Sequence, residues 1–475
     1  MMDYEAVIGL ETHVQLKTRS KMWCGCANEF GAPPNTNVCP VCLGLPGVLP
    51  VANEEALRLT ALTGFLLNCT VSRYAKFDRK NYFYPDMPKN YQITQYDKPS
   101  TQNGHVEFEF HGALARVRIT RAHLEEDVGK NFHFARQSGV DFNRAGVPLM
   151  EIVSEPDITS ADMAYEYLNA LKDILVYGDI SDCDMEKGMV RCDVNVSVRP
   201  VGQTELGAKI EIKNMNSFSG VRKALEYEIP RQIEVLRGGG KLIQSTRRWD
   251  DVAGITEEMR TKEYAHDYRY FPEPDLMPFQ PTESWLEEVS RRVVELPLAR
   301  KLRFMREYQL PAPDAQTFVW DLPLGNYFEN VAKQAKNPKA AANWIINNLR
   351  ARLSETQTRL DAVKFQPGSI LELIDLVDTG KISTKIAQDV FNDMFATGEA
   401  PAAIVSRKGL VQVSDAGALE QFCEQAIAAN PGPAADFKAG KAAALNFLKG
   451  QVMKLSKGKA NPALVGEILE RKLKG

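Results

Sequence analysis

The chain has 475 residues, and at roughly 100–200 residues per domain it is expected to form two to four domains. Hydrophobic residues make up 44% of the chain and charged residues 25%, which excludes disordered, collagen-like and coiled-coil proteins. The formal net charge of −3 excludes a protein that holds nucleic acid by overall basicity, so only a local basic patch can serve that purpose. No run of about 18 apolar residues occurs, and Asp3 and Glu5 stand where a signal peptide needs a basic start, which predicts a cytoplasmic protein.

Alternating, β-branched segments dominate the chain up to about residue 280 and predict mainly antiparallel strands, with helices at 161–177 and 220–237 between them. The clearest of these segments are AVIGLETHVQL, RVRITRAHLEED, VRCDVNVSVRP and AKIEIKNMNSF. The Pro-rich segment FPEPDLMPFQP (271–281) ends this pattern, and apolar residues at helical spacing follow it. A weaker boundary near 405–412 precedes helices predicted at about 415–429, 440–455 and 461–473.

Four of the eight cysteines form two close pairs, CGC at 24–26 and CPVC at 39–42, with twelve residues between the pairs. Two chelating pairs of thiolates fit the closed tetrahedral site of structural Zn²⁺. The alternative is a group of free cysteines in a loop, which the paired spacing disfavours. Because Cys24, Cys26, Cys39 and Cys42 would fill every position on the ion, we expect the zinc to be structural and the chemistry to lie elsewhere.

Three predicted strands carry apolar residues on one face and polar residues on the other, because alternate side chains of a strand share a face. The polar faces hold Glu11 and His13 in the first strand, Arg191, Asp193 and Asn195 in the second, and Lys209, Glu211 and Lys213 in the third. For any one strand, a half-buried sheet with a wet face is the simpler interpretation. Taken together, the carboxylates suit Mg²⁺ and the lysines suit phosphate. The alternation of side chains along a strand does not by itself show whether Glu125 and Glu126 of HLEEDVGK, or Glu151 of PLMEIVSEPD, point toward this site.

Several catalytic motifs are absent. The chain has no GxxxxGK[ST], GxSxG or HExxH, which excludes a P-loop nucleotide site. It also has no Ser-Ser dipeptide and no Cys in a GxCxG elbow, so neither a tandem-serine amidase nor a Cys-His glutaminase is encoded. If ammonia is a reactant, a partner must supply it.

Eight long segments carry a resemblance that runs from about residue 4 to 473: VIGLETHVQLKT, KFDRKNYFYPDMPKNYQITQYD, HLEEDVGK, PLMEIVSEPD, RCDVNVSVRP, EIKNMNSFSGVRKALEYEIPRQ, DYRYFPEPDL and GQVMKLSKGKANPALV. Together they resemble the B subunits of glutamyl/aspartyl-tRNA amidotransferases. The resemblance implies an α+β fold. A cradle similar to glutamine synthetase, built on antiparallel sheet and carrying the zinc loop 24–42, would span 1–293. An all-α helical domain would span 294–407, and a small all-α YqeY-like tail would span 408–475.

The resemblance also implies an ATP-dependent ligase with Mg²⁺, in which this subunit phosphorylates the side-chain carboxylate of Glu-tRNA(Gln) or Asp-tRNA(Asn). Ammonia released by an amidase A subunit would displace the phosphate, and a small C subunit would complete a heterotrimer. The phosphoryl-transfer residues that it implies are Glu11, His13, Glu125, Glu151, Asp193 and Glu211, the first four as metal ligands. The candidates for binding phosphate are Lys80, Lys89, Arg191 and Lys213, with ordinary surface charge as the alternative for each.

Two further segments are candidates for contacts with tRNA. Arg269, between Tyr268 and Tyr270, is expected either to stack against the 3′ end or to pack in the core. Residues 434–475 hold nine basic and three acidic side chains, a charge of +6 against −9 for the rest of the chain. The helical pattern turns Leu445, Leu448 and Val452 inward and Lys441, Lys449 and Lys454 outward, and the next loop adds Lys457 and Lys459. The tail is therefore predicted to bind tRNA, with a solvated helix face as the alternative.

Two other classes of protein compete with the amidotransferase interpretation. A non-catalytic, zinc-containing RNA-binding scaffold would account for the cysteines and the basic tail, but it leaves the carboxylates and His13 without a purpose. A stand-alone ligase for a small metabolite would account for the carboxylates, but it would not need the tail.

Overall fold

The computed structural model describes residues 3–215, 217–261, 265–410, 416–456 and 460–474. The chain divides into two compact units, Met1–Ala299 and Arg300–Gly475. None of the described helices combines the length and the apolar character that crossing a bilayer requires.

The strands of the described residues all lie before residue 273. They are β1 Tyr4–Gln15, β2 Thr70–Val71, β3 Asp78–Asn81, β4 Tyr91–Thr94, β5 Thr101–Phe110, β6 Ala113–Glu126, β7 Lys130–His133, β8 Ser138–Asp141, β9 Pro148–Ser154, β10 Val190–Pro200, β11 Ile210–Met215, β12 Ser245–Asp250, β13 Ile255–Thr261 and β14 Phe271–Pro272. Beyond residue 273 the regular elements of the described residues are all helical.

The helices are α1 Glu54–Leu66, α2 Ala161–Tyr177, α3 Phe218–Arg237, α4 Glu283–Ser290, α5 Pro297–Glu307, α6 Ala312–Trp320, α7 Leu322–Ala332, α8 Pro338–Trp344, α9 Ala351–Thr356, α10 Gly368–Asp378, α11 Thr384–Thr397, α12 Pro401–Lys408, α13 Ala416–Ala429, α14 Pro431–Lys438, α15 Ala443–Leu455 and α16 Pro462–Lys474. A π-helical turn at Ile345–Arg350 joins α8 to α9.

A nine-stranded sheet organises the first unit, in the order β13-β12-β11-β10-β1-β9-β6-β5-β2. Its pairs are antiparallel except for the parallel pair of β11 and β12. The apolar face predicted from strand parity is buried, with Ile8, Val194 and Ile212 at 0% exposure. Each such side chain contributes about 1.5–3 kcal/mol when it leaves water. The opposite, polar face is left to hold chemistry.

Two capped helices belong to the same hydrophobic core as that face. α2 begins where the Ser160 side chain accepts a hydrogen bond from the Met163 backbone N–H, and it supplies Tyr167 at 0% exposure. α3 begins at Ser217, whose side chain accepts from the Gly220 backbone N–H. The sequence predicted both helices, and α2 has the predicted bounds.

The second unit contains two separate hydrophobic clusters, one within 304–405 and one within 419–473. In the tail, Leu445, Leu448 and Val452 are buried as predicted, and Lys441 and Lys454 are exposed. Lys449 differs, because it is only partly exposed and lies against Gly466 of α16. Helix α14 was not predicted, and the loop lysines at 457 and 459 lie outside the described residues.

The predicted fold class is confirmed, because an antiparallel-dominated sheet precedes a helical second half. The predicted domain boundaries at 293/294 and 407/408 stay predictions. The division of the chain into two compact units falls at 299/300.

Candidate functional site

Cross-strand register brings distant carboxylates together on the polar face of the sheet. Glu11 in β1 stands opposite Asp193 in β10, and His13 stands opposite Glu151 in β9. Glu211 in β11 pairs with Asn195 in β10, whose amide Nδ2 donates a hydrogen bond of 2.7 Å to Glu11 Oε1. Four neighbouring strands, β11, β10, β1 and β9, thus contribute to one region of this face.

The six residues implied by the family resemblance divide into two compact groups. His13, Glu125 and Glu151 form one, and Glu11, Asp193 and Glu211 form the other; within each group the potential ligand atoms all lie within 4.8 Å of one another. In the first group, His13 Nε2 lies 3.6 Å from both Glu125 Oε1 and Glu151 Oε2. Glu125 is nearly inaccessible, at 2% exposure.

The second group has a cationic neighbour of its own. Lys213 Nζ lies 2.7 Å from Asp193 Oδ2 and 3.2 Å from Glu211 Oε1. The hydroxyl of Thr246, in β12, donates a hydrogen bond of 3.0 Å to Glu211 Oε2. These contacts fix the orientation of both carboxylates.

The pKa values of the first group are strongly perturbed. Burial lowers the pKa of His13, but its hydrogen bond to Glu151 and the charges of Glu151 and Glu125 outweigh burial and raise the pKa to about 9. Burial raises the pKa of Glu125 to about 7, with the charge of Glu151 acting in the same direction. For Glu151, burial is outweighed by His123 and His13, and the pKa is lowered. A neutral carboxyl, a carboxylate and an imidazolium can thus coexist near neutral pH.

A cavity of about 300 Å³ opens onto both groups. Glu11, His13, Glu151, Asp193 and Glu211 line it, together with the candidate phosphate ligands Lys80 and Lys213. Lys80 Nζ lies 5.0 Å from the ring centroid of Tyr268, which also lines the cavity.

The two remaining phosphate candidates are engaged outside this lining. Arg191 Nη2 lies 2.9 Å from Asp127 Oδ1, and the other oxygen of that carboxylate accepts a hydrogen bond from the Gln15 amide. Lys89 pairs with Glu126, whose carboxylate additionally accepts from a backbone N–H of β4. Glu126 therefore holds Lys89 and does not join the carboxylate groups.

The donor chemistry of both groups fits Mg²⁺. Mg²⁺ takes oxygen ligands and is commonly bound through one or two carboxylates together with substrate phosphates. The first group offers two carboxylates and the second offers three. Lys80 and Lys213 line the same cavity, and their positive charge suits phosphate oxygens bound there.

The four predicted zinc ligands also converge. The Sγ atoms of Cys24, Cys26, Cys39 and Cys42 lie within 4.8 Å of one another, and the Cys39 and Cys42 sulfurs are 3.9 Å apart. Tetrahedral zinc with Zn–S distances of about 2.3 Å needs sulfurs about 3.8 Å apart, so the cluster fits that ion. A hydrogen bond from Cys24 lowers the pKa of Cys42 to about 4 and raises the pKa of Cys24, so the two sulfurs share one thiolate charge.

Sequence analysis missed a buried lysine beside this cluster. Lys21 is 1% exposed, and its Nζ lies 3.7 Å from Cys42 Sγ and 2.9 Å from the Asn37 carbonyl oxygen. A buried ammonium needs anionic or carbonyl partners, and the thiolates supply negative charge. Nothing in the sequence distinguishes Lys21 from the exposed lysines of the chain.

Comparisons with known proteins assign the sequence of this chain to one family. The family model described as "GatB/GatE catalytic domain" matches residues 6–287, and the model described as "GatB domain" matches residues 326–473. The first match spans every candidate site residue named above. The chain belongs to the amidotransferase B-subunit family.

Curated relatives extend the similarity over the full chain, and each is named as the B subunit of an aspartyl/glutamyl-tRNA(Asn/Gln) amidotransferase. The relative from Carboxydothermus hydrogenoformans is 53% identical over 478 residues, covering 100% of this chain and 99% of the relative. The one from Caldanaerobacter subterraneus subsp. tengcongensis is 52% identical over 473 residues, with 99% and 100% covered. The one from Brevibacillus brevis is 51% identical over 475 residues, with 100% and 99% covered. The family thus forms part of an enzyme, a tRNA-dependent amidotransferase, and the similarity covers this chain from end to end.

The cavity of this family member also contains residues that sequence analysis did not single out: Gln95, Tyr96, Arg121, His123 and Thr246. Parity could have found two of them, because Arg121, His123 and Glu125 alternate along β6 and share a face. His123 is 3% exposed, and burial lowers its pKa to about 4.

The tyrosines flanking Arg269 line the same cavity, and they belong to none of the buried hydrophobic clusters. Tyr270 stacks on Tyr96, with ring centroids 4.2 Å apart and planes 10° apart. Arg269 itself is exposed and lies over the ring of Phe83. The placement of these rings favours a wall of the cavity over the core-packing alternative.

Proposed function

We propose that this chain uses ATP to phosphorylate the side-chain carboxylate of Glu-tRNA(Gln) or Asp-tRNA(Asn), so that ammonia can convert it to the amide. The observation that carries the proposal is the pair of carboxylate groups that share one cavity with Lys80 and Lys213. The names of the relatives, which specify aspartyl/glutamyl-tRNA(Asn/Gln) amidotransferases, supply the substrate class.

The two groups have distinct places in this proposal. His13, Glu125 and Glu151 would hold one Mg²⁺, and Glu11, Asp193 and Glu211 would hold a second. Bound there, the ions supply positive charge to the phosphate oxygens of ATP. Lys80 and Lys213 add charge from the protein itself. A loose phosphoryl-transfer transition state spreads charge over the equatorial oxygens, and preorganised cations neutralise it.

The reaction has two steps. An oxygen of the substrate carboxylate attacks the γ-phosphorus of ATP, the bond from that phosphorus to the bridging oxygen breaks, and ADP leaves. Ammonia then attacks the acyl carbon, the acyl–oxygen bond breaks, and inorganic phosphate leaves with the amide formed. Bulk water would hydrolyse the acyl phosphate. We propose that the small cavity walled by Tyr96, Tyr268 and Tyr270 protects it from that water.

Ammonia would come from a partner, because the sequence lacks both amidase motifs considered above. We propose an amidase A subunit and a small C subunit as the partners in a heterotrimer, with this chain supplying the phosphorylation site. The zinc bound by the four cysteines would brace the loop 24–42 and take no part in the reaction.

The tail is proposed to bind tRNA through its exposed basic side chains. Lys441 and Lys454 are exposed, and the acidic remainder of the chain leaves this segment as a local positive patch. Deleting 412–475 should raise the KM for tRNA and flatten its salt dependence, since each phosphate contact adds roughly 0.9 log units to the slope. A truncated complex with wild-type KM and slope would limit the tail to packing.

The experiment that tests the function is amidation by the purified complex. Glu-tRNA(Gln) and Asp-tRNA(Asn) are each incubated with ATP, Mg²⁺ and either glutamine or ammonium, and the esterified amino acid is identified. We expect amide formation that requires both ATP and Mg²⁺. A complex that binds the tRNAs yet neither hydrolyses ATP nor forms amide would favour the RNA-binding scaffold.

A further inference from the structure

Gln95 presents a fixed hydrogen-bond donor in the cavity wall. Its side chain is 1% exposed, and its Oε1 accepts from the Ser100 backbone N–H at 3.1 Å, the Ser100 hydroxyl at 2.9 Å and the Leu124 backbone N–H at 3.1 Å. Backbone N–H groups can only donate, so the amide cannot be flipped. Its Nε2 is buried and has no hydrogen-bond partner among the described residues. The NH₂ group is therefore held ready for an acceptor.

Arg121 is a second donor in the same wall. Its Nε is buried without a hydrogen-bond partner, and its guanidinium forms no ion pair within the ranges that the structure describes. Register explains this isolation. Arg121 faces Val153 across the β6–β9 pair, and Val153 faces Glu11 across the β9–β1 pair. An apolar side chain thus stands between Arg121 and the nearer carboxylate of the second group.

Unpartnered buried donors are rare, because each one costs free energy unless a ligand or water satisfies it. Gln95 and Arg121 both line the cavity, one fixed by three hydrogen bonds and the other carrying a permanent positive charge. Both offer only N–H groups at these positions, so their common ligand must be an acceptor, and the charge of Arg121 favours an anionic one.

We propose that Gln95 and Arg121 form an oxyanion subsite, separate from the two carboxylate groups, that binds an anionic oxygen of a substrate. The inference rests on the proposed function, which supplies two sources of such an oxygen: the side-chain carboxylate of the aminoacyl group and a phosphate of ATP. Lys80, Lys213 and the members of the carboxylate groups that line the same cavity are different residues, so this subsite is an addition to them. It positions the substrate for the phosphoryl transfer.

The test uses the intact complex with two variants, Arg121→Gln and Gln95→Glu. Arg121→Gln removes the charge, whereas Gln95→Glu keeps the accepting oxygen and replaces the donor with a second oxygen. The matched control is Arg116→Gln, the same change at an exposed position of β6. Steady-state kinetics give the KM for aminoacyl-tRNA and for ATP, and equilibrium titration gives the Kd for MgATP without turnover.

We expect either variant to raise one of these constants about 10- to 100-fold, as for a lost hydrogen bond to a charged group, with Arg116→Gln unchanged. A higher KM for aminoacyl-tRNA with an unchanged Kd for MgATP identifies the carboxylate as the source. A higher Kd for MgATP identifies a phosphate. If both variants keep the two KM values and the Kd for MgATP within twofold of wild type while wild type amidates, the proposed subsite is wrong.

Two controls keep the test decisive. Should Arg121→Gln fail to fold, Arg121→Lys retains the charge and loses the planar donor, and an intermediate rise in the same constant is expected. Gln95→Glu provides the independent second arm. Failure of the proposed function is a different result, because wild type itself would then show no ATP-dependent amidation.

Discussion

The cysteine cluster and the carboxylate groups differ in how the chain assembles them. The cysteines come from one loop, residues 24–42, and their Sγ atoms form a closed set beside the buried Lys21. The carboxylate groups come from five strands, β1, β6, β9, β10 and β11, and they open onto a cavity. A closed set of four ligands suits a structural ion, whereas an open set leaves room for substrate. We therefore propose one site for stability and another for chemistry in the same chain.

We expect the largest effect on the kcat for amidation from changes to the carboxylates. Asp193→Asn or Glu125→Gln should lower the kcat for amidation about 10²–10³-fold. Each change removes a carboxylate that would bind Mg²⁺, and the charge of that ion stabilises the transition state. Zinc content and Tm should stay at wild-type values, and tRNA affinity should change little. Glu107→Gln, an exposed change on β5, is the control. Wild-type turnover in Asp193→Asn or Glu125→Gln would remove that residue from the site.

Cys39→Ser should give the opposite profile. We expect one zinc per chain in the wild type and none in the variant, with Tm lower by about 5 °C or more because the loop loses its cross-link. The kcat of the remaining folded protein should fall by less than about tenfold. Metal analysis and calorimetry measure these quantities. A large fall in kcat at unchanged Tm would place the cysteines in the reaction and would contradict a purely structural role for them.

Lys21→Met should weaken zinc binding about 10- to 100-fold, the usual cost of losing a side chain that supports metal ligands. The reason is that Lys21 Nζ is the cation next to Cys42. Competition with a chelator measures the zinc affinity. Lys17→Met is the control, because the Lys17 ammonium is partly exposed and pairs with Asp179 and Asp182. Equal zinc affinities in the two variants would deny Lys21 this role.

The raised pKa of His13 predicts that Mg²⁺ binding at its group releases a proton. In the metal-free protein His13 is protonated below a pKa of about 9, so Mg²⁺ binding at its group must displace a proton. About one proton per ion should be released at pH 8, and Mg²⁺ affinity should rise with pH until about pH 9. Calorimetry in buffers of different ionisation enthalpy measures this release. A release near zero at pH 8, or affinity that falls as pH rises, would contradict it.

The sequence predicts parts of this molecule with very different success. Local patterns indicated the apolar face of β1 and β10, the helix α2 and the cysteine pairs, because each depends on spacing within a few residues. Glu125 and Glu151 needed the family resemblance, since strand order and register decide which strands are neighbours. Lys89 shows the limit of a motif, because it lies in a family segment and yet pairs with Glu126.

Strand parity places Arg121 on the face of Glu125, but the role of Gln95 and Arg121 as unpartnered donors could not be predicted from the sequence. Their importance depends on which of their atoms lack a hydrogen-bond partner. Residues distant along the chain decide this, namely Leu124 through its backbone N–H and Val153 through its place opposite Arg121. Composition and periodicity carry no such information. Unpartnered donors are therefore found only once the strands are paired.

The number of bound metal ions decides whether each carboxylate group holds one ion. Mn²⁺ can replace Mg²⁺ at oxygen sites, and electron paramagnetic resonance counts the bound ions per chain in the intact complex with a saturating, non-hydrolysable ATP analogue. We expect two ions in the wild type and in Glu107→Gln, and one ion in each of Glu125→Gln and Asp193→Asn. Two bound ions in both of the last variants would contradict the assignment of one ion to each carboxylate group.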